Sequence, residues 1–427
     1  MTGMAAMWDT VFDRMLSRLE LPGLVHVTLP DGQQRAYGND TEPEIALRIA
    51  DGETLRALCL RPDLALGEAY MDGRLTIEGD DLEGLLRLVT RGRADRHLPA
   101  WARLRQRLRL VMQRWLAMND ARRARANVAH HYDLSDALYS RFLDADMQYS
   151  CAYFADPEMT LEQAQAAKKA HIAAKLQIEP GMRVLDIGCG WGGMALTLAR
   201  DFGAHVTGIT LSQNQLKRAR ARAAEAGLEA QTDFRLLDYR KLRERFDRIV
   251  SVGMLEHVGV PHYDVYFRQV ADLLAPQGVA LIHTIASGAP PRPQSAWITK
   301  YIFPGGYIPA LSELAPAIEG SGLWTLDIEV LRLHYATTLR HWLARFDAHH
   351  EEWRRRYDER FIRMWRFYLI ASYVTFEEDH QSVYQFQLAH RPDAVPITRD
   401  YLYRGEGPAR AQAENATPAP ARQDAAE

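Results

Sequence analysis

The feature that most constrains this chain is the segment from Val184 to Gly193, a short apolar run that ends in glycines at positions 188, 190, 192 and 193. A periodic segment over 194–200 follows at once and predicts a helix. Glycine tolerates positive φ and lets a ligand approach main-chain N–H groups. Strand, glycine turn and helix together fit a nucleoside-containing ligand and a tight structural turn equally well, so this stretch alone leaves both readings open. Asp186, at the end of the strand, would accept hydrogen bonds or meet a positive charge beside that ligand.

The bulk composition indicates a globular chain. Its 427 residues allow two or three domains at ~150 residues each, and 47% of them are apolar or aromatic. The net charge of −3 gives no overall attraction to nucleic acid. Three widely spaced cysteines, Cys59, Cys151 and Cys189, indicate neither a disulfide framework nor a metal cluster, and favour a reducing, cytoplasmic setting. The N-terminal segment is too acidic for a signal peptide, and no apolar run reaches the ~20 residues that span a bilayer.

Residues 1–90 are predicted to form a small α+β domain. Leu24–Leu29 alternates like a strand, a turn signal follows, and Arg35–Gly38 begins the returning strand. An apolar helix is predicted at Leu82–Val89. The unit contains no recognisable catalytic cluster, so an accessory role in the fold and a role in presenting substrate both stay open.

Residues 91–126 are predicted to form a basic amphipathic linker helix, with eleven arginines against two aspartates. Its apolar residues recur at steps of three and four and form one helical face, namely Trp101, Leu104, Leu108, Val111, Trp115 and Met118. Arg103, Arg107 and Arg114 fall largely off that face. Such a helix fits the interface of an anionic membrane. An interdomain helix packed on the protein, with a solvated basic face, is the alternative.

From about residue 127 the sequence alternates between strands and helices. Strands are predicted at 181–188, 204–210, 233–238, 246–252 and 278–283, with helices at 212–226 and 263–274. This alternation predicts an α/β fold, a parallel sheet covered by helices on both faces. Ligands bind such sheets at the carboxyl ends of the strands. The polar residues that fall there are Asp186, Thr210, Asp238, Glu256 and His283.

The segment after the fifth strand, 286–383, is rich in aromatic residues. Most of them are expected to pack in the core, although their excess also suits a lid over an apolar substrate. The tail, 405–427, has no periodic apolar face and is predicted to be disordered.

Several motifs together resemble the cyclopropane fatty acid synthase family, which includes the mycolic acid cyclopropane synthases. The segments that carry the likeness are His131–Ser135, Met147–Phe154, Val184–Gly193, Thr210–Gln215, Ser251–Gly259, His283–Ile285, Tyr301–Pro309 and His334–Leu339. The resemblance implies a Rossmann-like class I methyltransferase domain over 127–390, with helical lid insertions. Residues 1–90 are similar to the N-terminal domain of phospholipid-acting members, which favours a membrane phospholipid as substrate.

The resemblance implies transfer of a methylene from S-adenosylmethionine to the cis double bond of an unsaturated acyl chain. The alkene is a poor nucleophile, so near-attack positioning matters greatly. Methyl addition leaves a carbocation that water would quench, so the site must be dry and lined by aromatic faces. Closing the ring requires a base to remove a proton from the transferred methyl. A branched methyl or methylene product shares the same cation and stays as the alternative, and a lipid-binding protein with a degenerate site is a third reading.

In the family the base is a bound bicarbonate ion, and its ligands correspond here to Cys151, Glu256, His283, the backbone of Ile285, and Tyr335. Cysteine, histidine, tyrosine and a main-chain N–H can donate to an anion, while Glu256 would orient the group. The resemblance places the cofactor against Tyr149, Ser150, Asp186, Gly188, Gly190, Gly192, Thr210, Gln215, Asp238 and Tyr239, and it implies no metal.

Two positions depart from common patterns. Thr210 stands where many methyltransferases carry an acidic ribose ligand, but the resembled family uses Thr-Leu-Ser there. Ser372 stands where many members carry a cysteine, and a mechanism without a covalent thiol makes that change of little consequence. The resemblance further implies a cytoplasmic protein at the inner face of the cell membrane, and a possible homodimer, with no nucleic acid partner.

Overall fold

The structure is a computed structural model that describes residues 2–39, 43–92, 108–110, 112 and 136–403. The motif His131–Ser135, most of the predicted linker helix and the tail at 405–427 lie outside the described residues. The described chain folds into a small N-terminal unit and a larger α/β unit.

The N-terminal unit is built on a four-stranded sheet in the order β2-β1-β3-β4. Its elements are α1 (Thr2–Leu16), β1 (Leu24–Thr28), β2 (Gln34–Gly38), β3 (Glu44–Ile49), α2 (Gly52–Leu60), α3 (Pro62–Met71), β4 (Leu75–Ile77) and α4 (Leu82–Arg91). The predicted strands at Leu24–Leu29 and Arg35–Gly38 are therefore confirmed as a β-hairpin. One face of the sheet is buried because alternate β1 residues, Val25 and Val27, are apolar and point inward.

The α/β unit begins with α5 (Asp136–Phe142) and α6 (Leu161–Leu176). Its central strands are β5 (Arg183–Ile187), β6 (His205–Thr210), β7 (Thr232–Leu236), β8 (Phe246–Val252) and β9 (Leu274–Ser287). The helices between and after them are α7 (Gly193–Phe202), α8 (Gln213–Glu225), α9 (Tyr263–Leu273), α10 (Ala296–Tyr301) and α11 (Leu311–Glu319). The chain ends with β10 (Trp324–Val330), α12 (His334–Ala348), α13 (His350–Arg356), α14 (Glu359–Glu378) and β11 (Gln381–Ala389).

The sheet of this unit has seven strands in the order β10-β11-β9-β8-β5-β6-β7. All five predicted strands are confirmed, and they pair in parallel. The sequence analysis does not predict β10 or β11, and β11 lies antiparallel between β9 and β10. Alternation of strands and helices cannot reveal these two strands, since long helical segments separate β10 and β11 from their partners in sequence. The aromatic segment after the fifth strand thus supplies two strands as well as helices.

The two units meet along α14 and α10. Trp297 of α10 is buried against α3, where its indole Nε1 donates to Met71 Sδ at 3.2 Å. Gly67 of α3 is required at this point, because a Cβ there would stand 2.4 Å from Trp297 Nε1. A second contact joins Glu83 of α4 to helices α12 and α14. The Glu83 carboxylate accepts hydrogen bonds from Arg340 of α12 at 2.8 Å and from Tyr373 of α14 at 2.6 Å. The N-terminal unit therefore packs directly on the helices that follow the fifth strand.

Two surface features bear on the membrane. None of the helices in the described ranges is long and apolar enough to cross a bilayer. The short described part of the linker carries Leu108 and Met112, which are 63% and 56% exposed, while Arg109 donates to Asp63 at 3.0 Å and to the Gln294 carbonyl at 3.1 Å. This part of the linker therefore touches the protein through an arginine and leaves apolar side chains exposed.

Candidate active site

A cavity of about 170 Å³ opens at the carboxyl ends of β5, β6 and β8. Nine of the ten predicted cofactor residues line it, namely Tyr149, Ser150, Asp186, Gly188, Gly190, Thr210, Gln215, Asp238 and Tyr239. The tenth, Gly192, caps α7 and does not line the cavity. A Cβ at Gly192 would lie 3.0 Å from the ring of Phe234, so this glycine serves the close packing of helix on sheet.

The glycine turn after β5 brings main chain to the cavity wall. Gly188 and Gly190 have φ of 83° and 53°, a region that favours glycine. A Cβ at Gly188 would stand 2.9 Å from the side chain of Met254, which also lines the cavity. The turn is held by hydrogen bonds from the Gly188 and Cys189 N–H groups to the Ile209 carbonyl. This part of the cavity wall is therefore main chain, and a side chain at position 188 would collide with Met254 and strain the turn.

Asp186 is the buried carboxylate of this cavity. Burial raises its pKa to about 7, and the nearby Lys168 ammonium opposes that rise. Its Oδ2 is buried and has no hydrogen-bonding partner among the described residues. A buried carboxylate oxygen without a partner is costly. Its position suits the ammonium group of an amino acid, which would satisfy the oxygen and stabilise the charged form.

The opposite end of the cavity carries the groups expected beside a nucleoside. The Thr210 hydroxyl donates to Gln215 Oε1 at 2.8 Å and accepts from the Ser212 N–H at 3.1 Å. Asp238 makes a bidentate pair with Arg240, at 2.9 and 2.6 Å. Burial alone would raise the pKa of Asp238, but these Arg240 hydrogen bonds outweigh it and hold the pKa below its usual value. Asp238 is therefore a carboxylate at neutral pH.

The loop over 147–151 forms the remaining wall and is fixed by the inner face of α6. Gln165 donates to the Ser150 carbonyl at 2.9 Å. The fully buried Lys168 donates to Gln148 Oε1 at 2.6 Å and to Ser150 Oγ at 2.9 Å. Burial lowers the pKa of Lys168 to about 8. Met147 of the same loop has a φ of 55°, which is strained for a non-glycine residue.

Glu256 and Ile285 are in direct contact. The Ile285 N–H donates to Glu256 Oε1 at 2.7 Å, whereas Glu256 Oε2 is buried without a hydrogen-bonding partner in the described chain. Burial raises the pKa of Glu256 to about 7. Glu256 lies in the turn after β8 and Ile285 lies on the adjacent β9, so the parallel pairing of these strands joins them.

The other predicted anion ligands come from β9 itself and from two further elements, the 147–151 loop and α12. His283 precedes Ile285 by two residues on β9, and its Nδ1 lies 3.1 Å from Gln385 Nε2. Cys151 is buried at the end of the 147–151 loop, where burial raises the pKa of its thiol and the Lys168 charge opposes the rise. Tyr335 lies in the first turn of α12. Of the five predicted ligands, Glu256 and Ile285 are joined by a direct hydrogen bond. Besides burial, which is the larger influence, the charge of Lys168 acts to lower the pKa of both Cys151 and His283.

Aromatic side chains surround Tyr149 on the side away from the glycine turn. Its ring stacks on Trp342 with centroids 5.1 Å apart, and its hydroxyl lies 2.8 Å from that of Tyr368. Trp342 in turn meets Tyr335 edge to face at 5.9 Å. These buried aromatic faces can stabilise a cation. Ser372, one turn after Tyr368 on α14, is half-buried.

The sequence analysis does not point to several residues of this site. His257 lines the cavity, and burial lowers its pKa to about 4, so it is a neutral imidazole. Gln148 and Lys168 connect the cofactor loop to α6. A signal for Lys168 does exist, because Gln165, Lys168, His171 and Lys175 recur at steps of three and four on a largely buried helix. A polar stripe on such a helix indicates a buried polar layer.

The fold and cavity define a class I methyltransferase. Solved structures similar to it include the cyclopropane synthase MmaA2 from Mycobacterium tuberculosis, at 33% identity and a TM-score of 0.59 over 62% of this chain and 98% of that one. Another is mycolic acid cyclopropane synthase CmaA1 in complex with SAH and CTAB, at 34% identity and a TM-score of 0.58 over 62% and 97% of the two chains.

The chain belongs to the mycolic acid cyclopropane synthetase family, whose model matches residues 119–386. It is thus an S-adenosylmethionine-dependent methyltransferase of the cyclopropane synthase type. Cyclopropane-fatty-acyl-phospholipid synthase of Escherichia coli K12 is 41% identical over 77% of this chain and 84% of its own length. A probable fatty acid methyltransferase of Pseudomonas putida is 36% identical over 91% and 98%. Residues 10–95 match a separate domain family of unknown function.

Proposed function

We propose that this enzyme converts the cis double bonds of unsaturated acyl chains in membrane phospholipids into cyclopropane rings, with bicarbonate as the base. The observation that carries the proposal is the buried carboxylate of Glu256, which is held by the Ile285 N–H at one oxygen and unpartnered at the other among the described residues. The similarity to the phospholipid synthase of Escherichia coli, which extends over 84% of that protein, supports the same substrate class.

The residues fit both small molecules that this reaction needs. When bound, S-adenosylmethionine supplies an electrophilic methyl group and bicarbonate supplies a weak base. Asp186 Oδ2 is the acceptor for the ammonium of the amino acid, and Tyr149 and Ser150 also line the cavity. Glu256 Oε2 is the acceptor for the hydroxyl of a hydrogencarbonate ion, to which His283, Cys151 and Tyr335 would donate.

The chain's own residues then provide a dry, oriented site. Burial of Glu256 and His283 excludes water from the region where the proton is lost. His283 is neutral because burial lowers its pKa, so it donates one N–H without adding a positive charge beside a carbocation. Tyr149 and Trp342 present aromatic faces on which positive charge is stabilised.

Isotope labelling distinguishes the proposed product from its main alternative. The enzyme is expressed in a host without its own cyclopropane synthase, fed with methionine carrying a trideuterated methyl group. Ring closure removes one hydrogen from the transferred methyl, so cyclopropane chains are expected to retain two deuterons and to resist mild hydrogenation. The Asp186→Ala variant serves as the inactive control. Phospholipid chains that retain all three deuterons would contradict cyclopropanation.

A branched methyl or methylene product is the second candidate. Tuberculostearic acid methyltransferase UfaA1 of Mycobacterium tuberculosis is 31% identical over 90% of this chain and 92% of its own length. The Pseudomonas putida relative, a probable fatty acid methyltransferase, also matches over most of both chains. Both outcomes pass through the same cation and lose one proton from the transferred methyl. A ring forms when that carbon bonds to the cationic carbon, whereas a methylene forms when a hydride shift first moves the positive charge to the carbon that bears the methyl. A saturated methyl branch would additionally need a hydride donor to reduce the methylene. A methylene product retains two deuterons like a ring, but hydrogenation reduces it and so separates the two.

We also propose that the linker at 91–126 helps attach the enzyme to anionic lipid at the inner face of the cell membrane, and that the enzyme acts as a homodimer. The exposure of Leu108, which belongs to the apolar face, and of the nearby Met112 supports contact with lipid, since both side chains would otherwise stay in water. Arg109 pairs with Asp63, so part of the basic face packs on the protein.

Charge reversal in the linker tests membrane attachment. Each basic residue near an anionic surface contributes about 1 kcal/mol to binding. Changing Arg103, Arg107 and Arg114 to Glu is therefore expected to abolish flotation with vesicles of phosphatidylglycerol and phosphatidylcholine at low salt. The matched control changes Arg218, Arg243 and Arg355, arginines of the α/β unit, to Glu and should leave flotation unchanged. Equal flotation of both triple variants would contradict a role for the linker.

A further inference from the structure

Three polar side chains form a row across neighbouring strands behind the proposed anion site. His283 on β9 stands opposite Gln385 on β11, and Gln385 stands opposite Glu329 on β10. Directly opposed residues of antiparallel strands point to the same face of the sheet. His283 and Gln385 are both buried, with 2% and 0% of their surface exposed. A buried polar row of this kind must satisfy its hydrogen bonds internally.

The contact between His283 and Gln385 determines which ring nitrogen carries the proton. Gln385 Nε2 lies 3.1 Å from His283 Nδ1. An amide nitrogen can donate but not accept, so Nδ1 is the acceptor and a neutral ring carries its proton on Nε2. In this orientation the Gln385 Oε1 is buried without a partner among the described residues.

The groups that surround His283 favour the neutral ring. Lys168, His171 and Lys175 face it from α6 and oppose a positive charge on the imidazole, while Glu329 favours that charge from β10. Glu329 is already engaged, because its carboxylate accepts a hydrogen bond from His171 at 2.6 Å and forms an ion pair with Lys175 at 2.5 Å. Burial and the α6 side chains together lower the pKa of His283. A neutral histidine has one N–H, so its direction decides what His283 can do.

We propose that Gln385 is a positioning residue that fixes His283 as the Nε2–H tautomer, with that N–H available to donate to the bound anion. The identity of the acceptor, the bound anion, rests on the proposed function. The fixed tautomer itself follows from the contact between Gln385 and His283. Neighbours that orient metal-bound histidines change activity by about 10- to 100-fold when removed, and we expect an effect of the same order for the orientation of His283.

The test combines kinetics with the tautomer measured directly in the full-length enzyme. Gln385→Met keeps the length of the side chain and removes the donor, whereas Gln385→Glu supplies an acceptor that favours a proton on Nδ1. Both variants are expected to lower kcat by about 10- to 100-fold, with KM for S-adenosylmethionine within twofold of wild type. Gln387→Met is the matched control, because Gln387 is equally buried on β11 but donates to the Lys175 carbonyl and to Tyr401.

Long-range ¹⁵N–¹H spectra of enzyme labelled in histidine report the tautomer, with His283 signals identified by their loss in His283→Asn. In the wild type and in Gln387→Met, His283 is expected to carry its proton on Nε2. In Gln385→Glu, His283 is expected to carry its proton on Nδ1. A proton on Nδ1 in wild type overturns the proposal, as does an unchanged tautomer in Gln385→Glu. Activity that does not depend on bicarbonate would contradict the anion as the acceptor but not the fixed tautomer, because the spectra report the tautomer whether or not bicarbonate is bound.

Discussion

Replacing Glu256 with glutamine is expected to lower kcat for methylene transfer by about 10²- to 10³-fold, as removal of one preorganised charge-stabilising group does in other enzymes. The variant keeps the size of the side chain and can still accept from the Ile285 N–H, which lies 2.7 Å from Oε1. At the second position it presents an amide N–H instead of an acceptor oxygen. A hydrogencarbonate hydroxyl would then face a donor in a buried site, so the base is held poorly or not at all.

Single-turnover measurements with labelled S-adenosylmethionine and phospholipid vesicles separate this effect from binding. The affinity for the cofactor should stay within twofold, because Glu256 does not line the cofactor cavity. Wild-type activity should fall in buffer freed of carbon dioxide and return when bicarbonate is added, whereas the variant should no longer respond. Glu319→Gln, at an exposed glutamate on α11, is the control. A kcat within twofold of wild type would exclude Glu256 from the base-binding group.

The parallel part of the fold can be predicted from the sequence because each of its strands, helices and turns is marked by residues that are close together in the chain. Each of the five strands is a short apolar run next to a helix with its own period, and the glycines after β5 mark a turn whose φ angles the structure places at 83° and 53°. The polar strand ends then follow from geometry, since parallel strands finish at one edge of the sheet. Nine of the ten predicted cofactor residues line one cavity for this reason.

The rest could not be predicted, because it depends on contacts between residues far apart in sequence. The strand β11 pairs with β9 across roughly a hundred residues, so no local pattern reveals that Gln385 meets His283. Gln385 inside the buried strand β11 and Lys168 on the inner face of α6 are polar residues where the local pattern calls for apolar ones. Each of these exceptions marks a polar contact around the site. The resemblance implies which residues would bind the anion, but it does not reveal Gln385 and Lys168, which contact or surround them.

Replacing Lys168 with methionine is expected to weaken S-adenosylmethionine binding by about 10- to 100-fold. The Lys168 ammonium donates to Gln148 and Ser150, both on the cavity wall, and hydrogen bonds to charged groups contribute about 1.5–3 kcal/mol each. Its charge also opposes the rise of the Asp186 pKa. Without Lys168, Asp186 should be protonated at neutral pH and lose its attraction for the ammonium of the cofactor.

The pH dependence of binding separates this electrostatic effect from simple loss of structure. The pKa of Asp186 is about 7, so wild-type affinity should rise as the pH increases through 7 and the carboxylate ionises. In Lys168→Met the same rise should move to higher pH, because the neighbouring positive charge is gone. Lys175→Met is the matched control, since Lys175 is an equally buried lysine on α6 that pairs with Glu329 instead. Titration calorimetry across this pH range gives both curves. Curves of wild type and Lys168→Met that rise at the same pH would mean that Lys168 supports only the shape of the loop, because a charge acting on Asp186 must shift its ionisation.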